Sequence, residues 1–160
     1  MRGTLYLLDT NVLLALIRGN ELGKFIRHTL SVENTATRFL ISIVSHGELW
    51  AIAERRNWQS NKRDALRTML DRVVTIDLNA NEIVRSYVEI DELNQAAQKG
   101  ARQVSHNDMW IAATAKASNA ALVTTDQDFL HLHPHYLVVI YIDPQSRLAS
   151  ATTGNQPGIQ

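Results

Sequence analysis

The chain contains no cysteine, which excludes disulfides, thiolate catalysis and cysteine-ligated zinc. Any metal must therefore be held by carboxylates, histidines or amides. No apolar run approaches the roughly 18 residues that a membrane-spanning helix needs, and the N-terminus lacks a basic segment followed by an apolar signal region. The expected compartment is the cytoplasm, with no membrane partner. Net charge is also missing, since Lys+Arg 16 balance Asp+Glu 16. A neutral chain has no global pull toward nucleic acid, although a local basic patch can still contact phosphate.

What is present is ordinary for a globular domain. Hydrophobic residues make up 45% and charged residues 20% of 160 residues, a composition and length that fit one packed domain. Five apolar runs read as strands: Leu5–Leu8, Phe39–Val44, Val73–Leu78, Ala121–Thr125 and Leu137–Ile142. Between them lie segments with helical spacing, at Asn11–Arg18, Asn20–Leu30, His46–Arg56, Lys62–Arg72, Asn81–Gln98 and Asp108–Ala117, the Asn81 helix expected to end at Gly100. Continuously apolar strands alternating with helices indicate an α/β fold with a parallel sheet covered on both faces. Residues 1–145 form the expected domain, and the polar segment 146–160 is expected to be a mobile tail.

One acid breaks the first apolar run. Asp9 follows LYLL and precedes TNVLLALI, and an unpaired carboxylate in such surroundings is costly unless it is neutralised, hydrogen-bonded or bound to a cation. Three further acids stand at comparable places: Glu48 a few residues past FLISIV, Asp108 opening an Ala-rich helix, and Asp126 following ALVTT. In an open parallel sheet the carboxyl ends of the strands converge on one crevice. The competing reading is local. Ser45-His46-Gly47-Glu48 and Ser105-His106-Asn107-Asp108 both match the capping-box pattern, and Asp9 and Asp126 suit helix caps. Caps do not require one sign of charge at every strand end, whereas four converging carboxylates require cations. An oxygen-only donor set suits Mg²⁺ or Mn²⁺, and such ions assist phosphodiester hydrolysis.

The segments LLDTNVLL, SHGELW, NDMWIAATA and LVTTDQDF, in this order from Leu7 to Phe129, resemble the PIN-domain nucleases, and the VapC-type toxins in particular. The resemblance implies a three-layer α/β/α fold with a central parallel sheet of about five strands. It implies that Asp9, Glu48, Asp108 and Asp126 form a catalytic metal site for Mg²⁺ or Mn²⁺, with support from Asn11, Thr10, Ser45 and Thr125. It further implies endoribonuclease activity on RNA, a cognate antitoxin, and homodimers. Asp128 either turns toward a metal-bound water or faces solvent. A catalytically silent module of the same fold, binding RNA or protein, is the alternative function. A receiver domain using Asp77 after VVTIDL fits less well, because no Lys follows the late strand.

Other residues carry weaker signals. Arg55, Arg56, Lys62, Arg63 and Arg67 surround Trp58 and read as a nucleic-acid patch or as a solvated helix face with Trp58 packed inward. Lys99 and Arg102 precede the Asp108 helix and are better placed to hold substrate phosphate. His131, His133 and His135 in HLHPH alternate like metal ligands but are read more simply as a solvated loop. His46 and His106 lie close to the acids in sequence. Trp50 and Trp110 fall on apolar helical faces and are expected in a core or interface.

Overall fold

The protein is described by a computed structural model, covering residues 3–97 and 104–150. The Leu5–Leu8 strand (β1) leads directly into helix α1 (Thr10–Arg18), followed by α2 (Glu21–Thr29), β2 (Arg38–Ser42), α3 (Ile43–Arg55), α4 (Ser60–Asp71) and β3 (Val74–Ile76). Next come α5 (Asn81–Ala97), α6 (His106–Ala117), β4 (Ala121–Thr124), a 3₁₀ segment (Gln127–Leu132) and β5 (Val139–Tyr141). The strands form one five-stranded sheet in the order β3-β2-β1-β4-β5, and every pairing is parallel. The order reverses direction between β1 and β4, so a crevice opens beyond the carboxyl ends of those two strands.

Strand parity explains the layering. Successive side chains point to opposite faces of a sheet, and Leu7, Leu40 and Leu122 belong to a core shared with Ile83, Ile90, Met109 and Phe129. Their neighbours Leu8, Ile41 and Val123 belong to the other core, with Leu13, Ile26, Leu49 and Leu66. Helices α5 and α6 therefore cover one face, and α1 to α4 the other. The fully buried Ala112, Ala113 and Ala115 of α6 let that helix approach the sheet closely, as the Ala-rich sequence implies. On the other face Gly23 lets α2 pack closely on α1, because a Cβ there would collide with the Ala15 carbonyl of α1.

The expected strands are all present; β1 has the expected bounds, and the other four end earlier or pair over fewer residues. Phe39–Val44 stops at Ser42, because Ser42 caps α3 by accepting from Val44 N–H at 3.2 Å. Val73–Leu78 pairs only over Val74–Ile76, and Leu137–Ile142 only over Val139–Tyr141, since these are the two edge strands and have one partner each. Trp58 is buried in the core under α3 and α4, while Trp50 and Trp110 pack half-buried against opposite cores. Gly100 lies outside the described residues, as do positions 151–160. Before that point Leu148 faces Lys24, Arg27 and His28 of α2 across a hollow of about 570 Å³. Among the described residues no helix is long and apolar enough to cross a membrane.

Candidate active site

Asp9 is the first residue after β1 and the N-cap of α1. Its place is fixed at both ends, by its backbone N–H on the Val123 carbonyl at 3.0 Å and by a carboxylate that is only 4% exposed. One oxygen accepts from Thr10 N–H at 2.7 Å, and the other accepts from Thr124 Oγ1, also at 2.7 Å. These two bonds favour the ionised form, but burial disfavours it more, and Asp108 and Glu48 add repulsion. The balance pushes the Asp9 carboxyl up to about 7. Asp9 is thus paired with hydroxyl and amide dipoles, and among the described residues no cationic side chain offsets its charge.

Glu48 reaches the same place from the second turn of α3. Thr10 Oγ1 lies 2.9 Å from Ser45 Oγ and 3.1 Å from Glu48 Oε1. A hydroxyl has one proton, so Thr10 donates to the carboxylate and Ser45 donates to Thr10. The Asn107 side chain lies near enough to Glu48 to favour its ionised form. Burial raises the Glu48 carboxyl above its ordinary range and Asp108 raises it further, against the lowering effects of Thr10, Asn107 and Arg55.

Asp108 sits in the first turn of α6, whose N-cap is Ser105. Ser105 Oγ accepts from Asp108 N–H at 3.2 Å and donates to Asp108 Oδ2 at 2.8 Å. Burial is the main cause that raises this carboxyl, followed by repulsion from Asp126 and then Asp128. Asp126 begins the 3₁₀ segment after β4, where its Oδ1 accepts from Asp128 N–H at 2.9 Å. Asp128 is half-buried and its charge is felt by Asp108, which puts it on the side of the cluster and not out in solvent.

The four predicted acids therefore share one electrostatic neighbourhood at the β1/β4 reversal. Among the described residues, however, no three His, Asp or Glu side chains stand close enough to ligate one ion jointly. A Mg²⁺ ion asks for less than that. It binds through one or two carboxylates and keeps several waters, and the all-oxygen donors with a buried, uncompensated Asp9 charge fit such an ion.

Several expectations need correction. Thr124, fully buried inside the strand, is the hydroxyl that meets Asp9, not Thr125. The second threonine lies past the last residue of β4 and makes no bond to the acids among the described residues. Ser45 does not cap α3, because Ser42 starts the helix three residues earlier and leaves Ser45 buried on its inner face. Asn11 is exposed on the first turn of α1 and makes none of these bonds. Asn107 was missed, although a polar residue beside Asp108 at a helix start was a usable signal.

The cations are less concentrated than their sequence suggests. Arg63 pairs with Glu54 at 2.7 Å and Arg67 with Asp64 at 2.8 Å, while Lys62 lies over the Trp58 ring at 4.6 Å. Arg55 is near enough to lower the Glu48 carboxyl, and Arg56 is exposed at the end of α3. Lys99 and Arg102 fall outside the described residues. His106 Nδ1 meets the Tyr87 hydroxyl at 2.9 Å, His46 Nδ1 lies 3.4 Å from Thr75 Oγ1, and the exposed Asp77 follows the edge strand β3.

Comparison with known proteins agrees with this fold. The PIN domain family model matches residues 6–133. Over 121 residues the chain is 28% identical to Ribonuclease VapC1 of Haemophilus influenzae (strain R2866), covering 75% of this chain and 85% of that relative. The crystal structure of VapBC2 from Rickettsia felis, bound to a DNA fragment from their promoter, matches with a TM-score of 0.70 at 25% identity. That match covers 86% of this chain and 98% of the other. DNA-bound VapBC from Salmonella typhimurium is similar in fold, with a TM-score of 0.71 at 18% identity and the same coverage of 86% and 98%.

Proposed function

The chain belongs to the PIN domain family, and from that membership we propose that it is a Mg²⁺- or Mn²⁺-dependent endoribonuclease, the toxin of a type II toxin–antitoxin pair. The observation that carries this reading is the buried Asp9 carboxyl, raised by burial and by the nearby Asp108 and Glu48, with no cation to offset it among the described residues. A structural core seldom keeps such a group, because an amide would supply similar hydrogen bonds without the charge. The resemblance to a relative named as a ribonuclease supplies the reaction class.

In this reading Asp9 and Asp108 would hold a hydrated ion, with Asp126 acting on it through its waters, and the ion would supply Lewis-acid chemistry that offsets charge on the phosphodiester. Glu48 orients the attacking water and accepts its proton. Its raised pKa suits that task, because a base works best with a pKa near the working pH. Asn107 favours the ionised form of Glu48, and Thr10 fixes the direction of its carboxylate. Thr124 does the same for Asp9. Arg55, beside Glu48, meets the phosphate of the RNA strand.

The VapBC2 complex among the similar structures supports a protein antitoxin as partner, and a homodimer completes the proposal on the family resemblance alone. Incubating purified protein with mixed RNA and Mg²⁺ tests the activity, with Asp9→Asn and a chelator as controls. Cleavage should vanish in both. Cleavage surviving either control overturns the metal mechanism, and an inert wild type overturns the enzyme reading in favour of a silent binding module.

A further inference from the structure

The HLHPH motif is not absorbed by the site, yet two of its histidines are engaged in the fold. His133 Nδ1 accepts Val139 N–H of β5 at 3.1 Å. His131 Nδ1 donates to the Asp128 carbonyl at 2.7 Å, which leaves Nε2 to accept from the Asn94 side-chain amide, 2.8 Å away, with that amide turned to present its NH2. Asn94 lies on α5 and is 9% exposed. One imidazole ring thus ties the 3₁₀ segment to a helix of the outer layer.

Followed the other way, the bonds continue into the carboxylate cluster. Asp128 N–H donates to Asp126 Oδ1 at 2.9 Å, Asp126 N–H to Thr124 Oγ1 at 3.0 Å, and Thr124 Oγ1 to Asp9 at 2.7 Å. The chain of contacts is unbroken from α5 to the end of β1. We propose that His131 is a positioning residue, which clamps the turn carrying Asp126 and Asp128 to α5 and so keeps those acids beside Asp108, where they act on a hydrated ion through its waters.

The physical need for a clamp is plain. Asp126 and Asp128 repel Asp108, and a short 3₁₀ segment has weaker hydrogen-bond geometry than an α-helix. Phe129 and Leu132 anchor the inner side of the segment in the core, and the outer side, which carries the acids, is held by hydrogen bonds. A ring with nitrogens on two edges fixes rotation by holding the backbone on one side and α5 on the other. A group at one remove from a metal ligand typically changes metal affinity by about 10–100-fold when removed.

The inference rests on the nuclease reading for the ion, though not for the clamp itself. The test uses the full chain, with Mn²⁺ binding by electron paramagnetic resonance, amide hydrogen exchange, and cleavage against Mg²⁺ concentration. His131→Ala is expected to weaken Mn²⁺ binding by about 10-fold. It should speed exchange at the Asp128 and Phe129 amides while α1 and α3 stay protected, and leave the cleavage rate at saturating Mg²⁺ within about twofold. Asn94→Ala should reproduce the effect, the double variant should add little, and His131→Gln, which still donates to the carbonyl, should recover most of the affinity. Unchanged Mn²⁺ binding and unchanged exchange in His131→Ala overturn the proposal, as does loosening spread evenly over the molecule. If the wild type neither binds Mn²⁺ nor cleaves RNA, the nuclease reading fails. The clamp then stands or falls on whether exchange rises only at that turn.

Discussion

SHGE and SHND, residues 45–48 and 105–108, are nearly the same word, and the fold uses them differently. Ser105 stands at a helix boundary and forms the reciprocal bonds of a capping box with Asp108. Ser45 stands one turn inside α3, buried, with its hydroxyl turned to Thr10 on another helix. The difference originates upstream, where Ser42 ends β2 and starts α3 with no loop between them. The first serine therefore supports an acid through a tertiary contact, and the second through a local one. Both acids still reach the same cluster, so capping and functional roles are not exclusive readings of one residue.

The largest test of that comparison asks whether the acids act as a set. Asp9→Asn should reduce RNA cleavage by about 10³-fold or more, measured as single-turnover rate. In metal-free buffer at neutral pH the same variant should melt no lower than wild type, because the amide removes a buried charge while Thr124 can turn to accept from it. A large drop in melting temperature would return Asp9 to a capping role.

The pH dependence of metal-free stability comes next. Asp9 is raised from 3.8 to about 7 in the folded chain, so the unfolded chain ionises first as pH rises. The stability this group contributes is full below about 4 and is lost as pH climbs through about 7, on the order of 4 kcal/mol. Denaturant titrations in chelator should show the decline, and Asp9→Asn should flatten it. Because ion binding needs the carboxylate form, added Mg²⁺ should restore stability mainly at the alkaline end.

Smaller effects separate neighbouring residues. Thr124→Val removes a bond from the buried Asp9 and should weaken Mg²⁺ activation by about 10-fold, whereas Thr125→Val should stay near wild type. A cleavage titration against Mg²⁺ reads both. Ser105→Ala should cost about 1 kcal/mol of stability as an ordinary lost cap. Ser45→Ala should affect cleavage more than Ser105→Ala at equal loss of stability, because it frees the Thr10 hydroxyl that directs Glu48.

Much of the fold could be read because its signals are short-range and repetitive. Leu7 and Leu8, Leu40 and Ile41, and Leu122 and Val123 are adjacent apolar pairs that fill both cores, and only a sheet covered on both faces needs such pairs. Strand ends were harder. Val44 is as apolar as Ile41, yet it belongs to α3, because a serine cap and not hydrophobicity decides where β2 stops. The acids Asp9, Glu48, Asp108 and Asp126 stood out by residue type and position. Their partners did not, since choosing Thr124 over Thr125 requires knowing which residue is the last one in the strand. HLHPH shows the same gap, because no local pattern reveals that a loop histidine finds an asparagine 37 positions away.

The sequence by itself determined the alternation of strands and helices, the two-faced burial of the sheet and the placing of acids after its strands, since each depends on neighbours a few residues apart. Tertiary structure alone decided which hydroxyl serves which acid, how far Asp9 is withdrawn from water, and what holds the turn that carries Asp126. Those outcomes depend on distances between segments far apart in the chain, and a hydrogen bond or a charge responds to that distance in space, not to separation along the sequence.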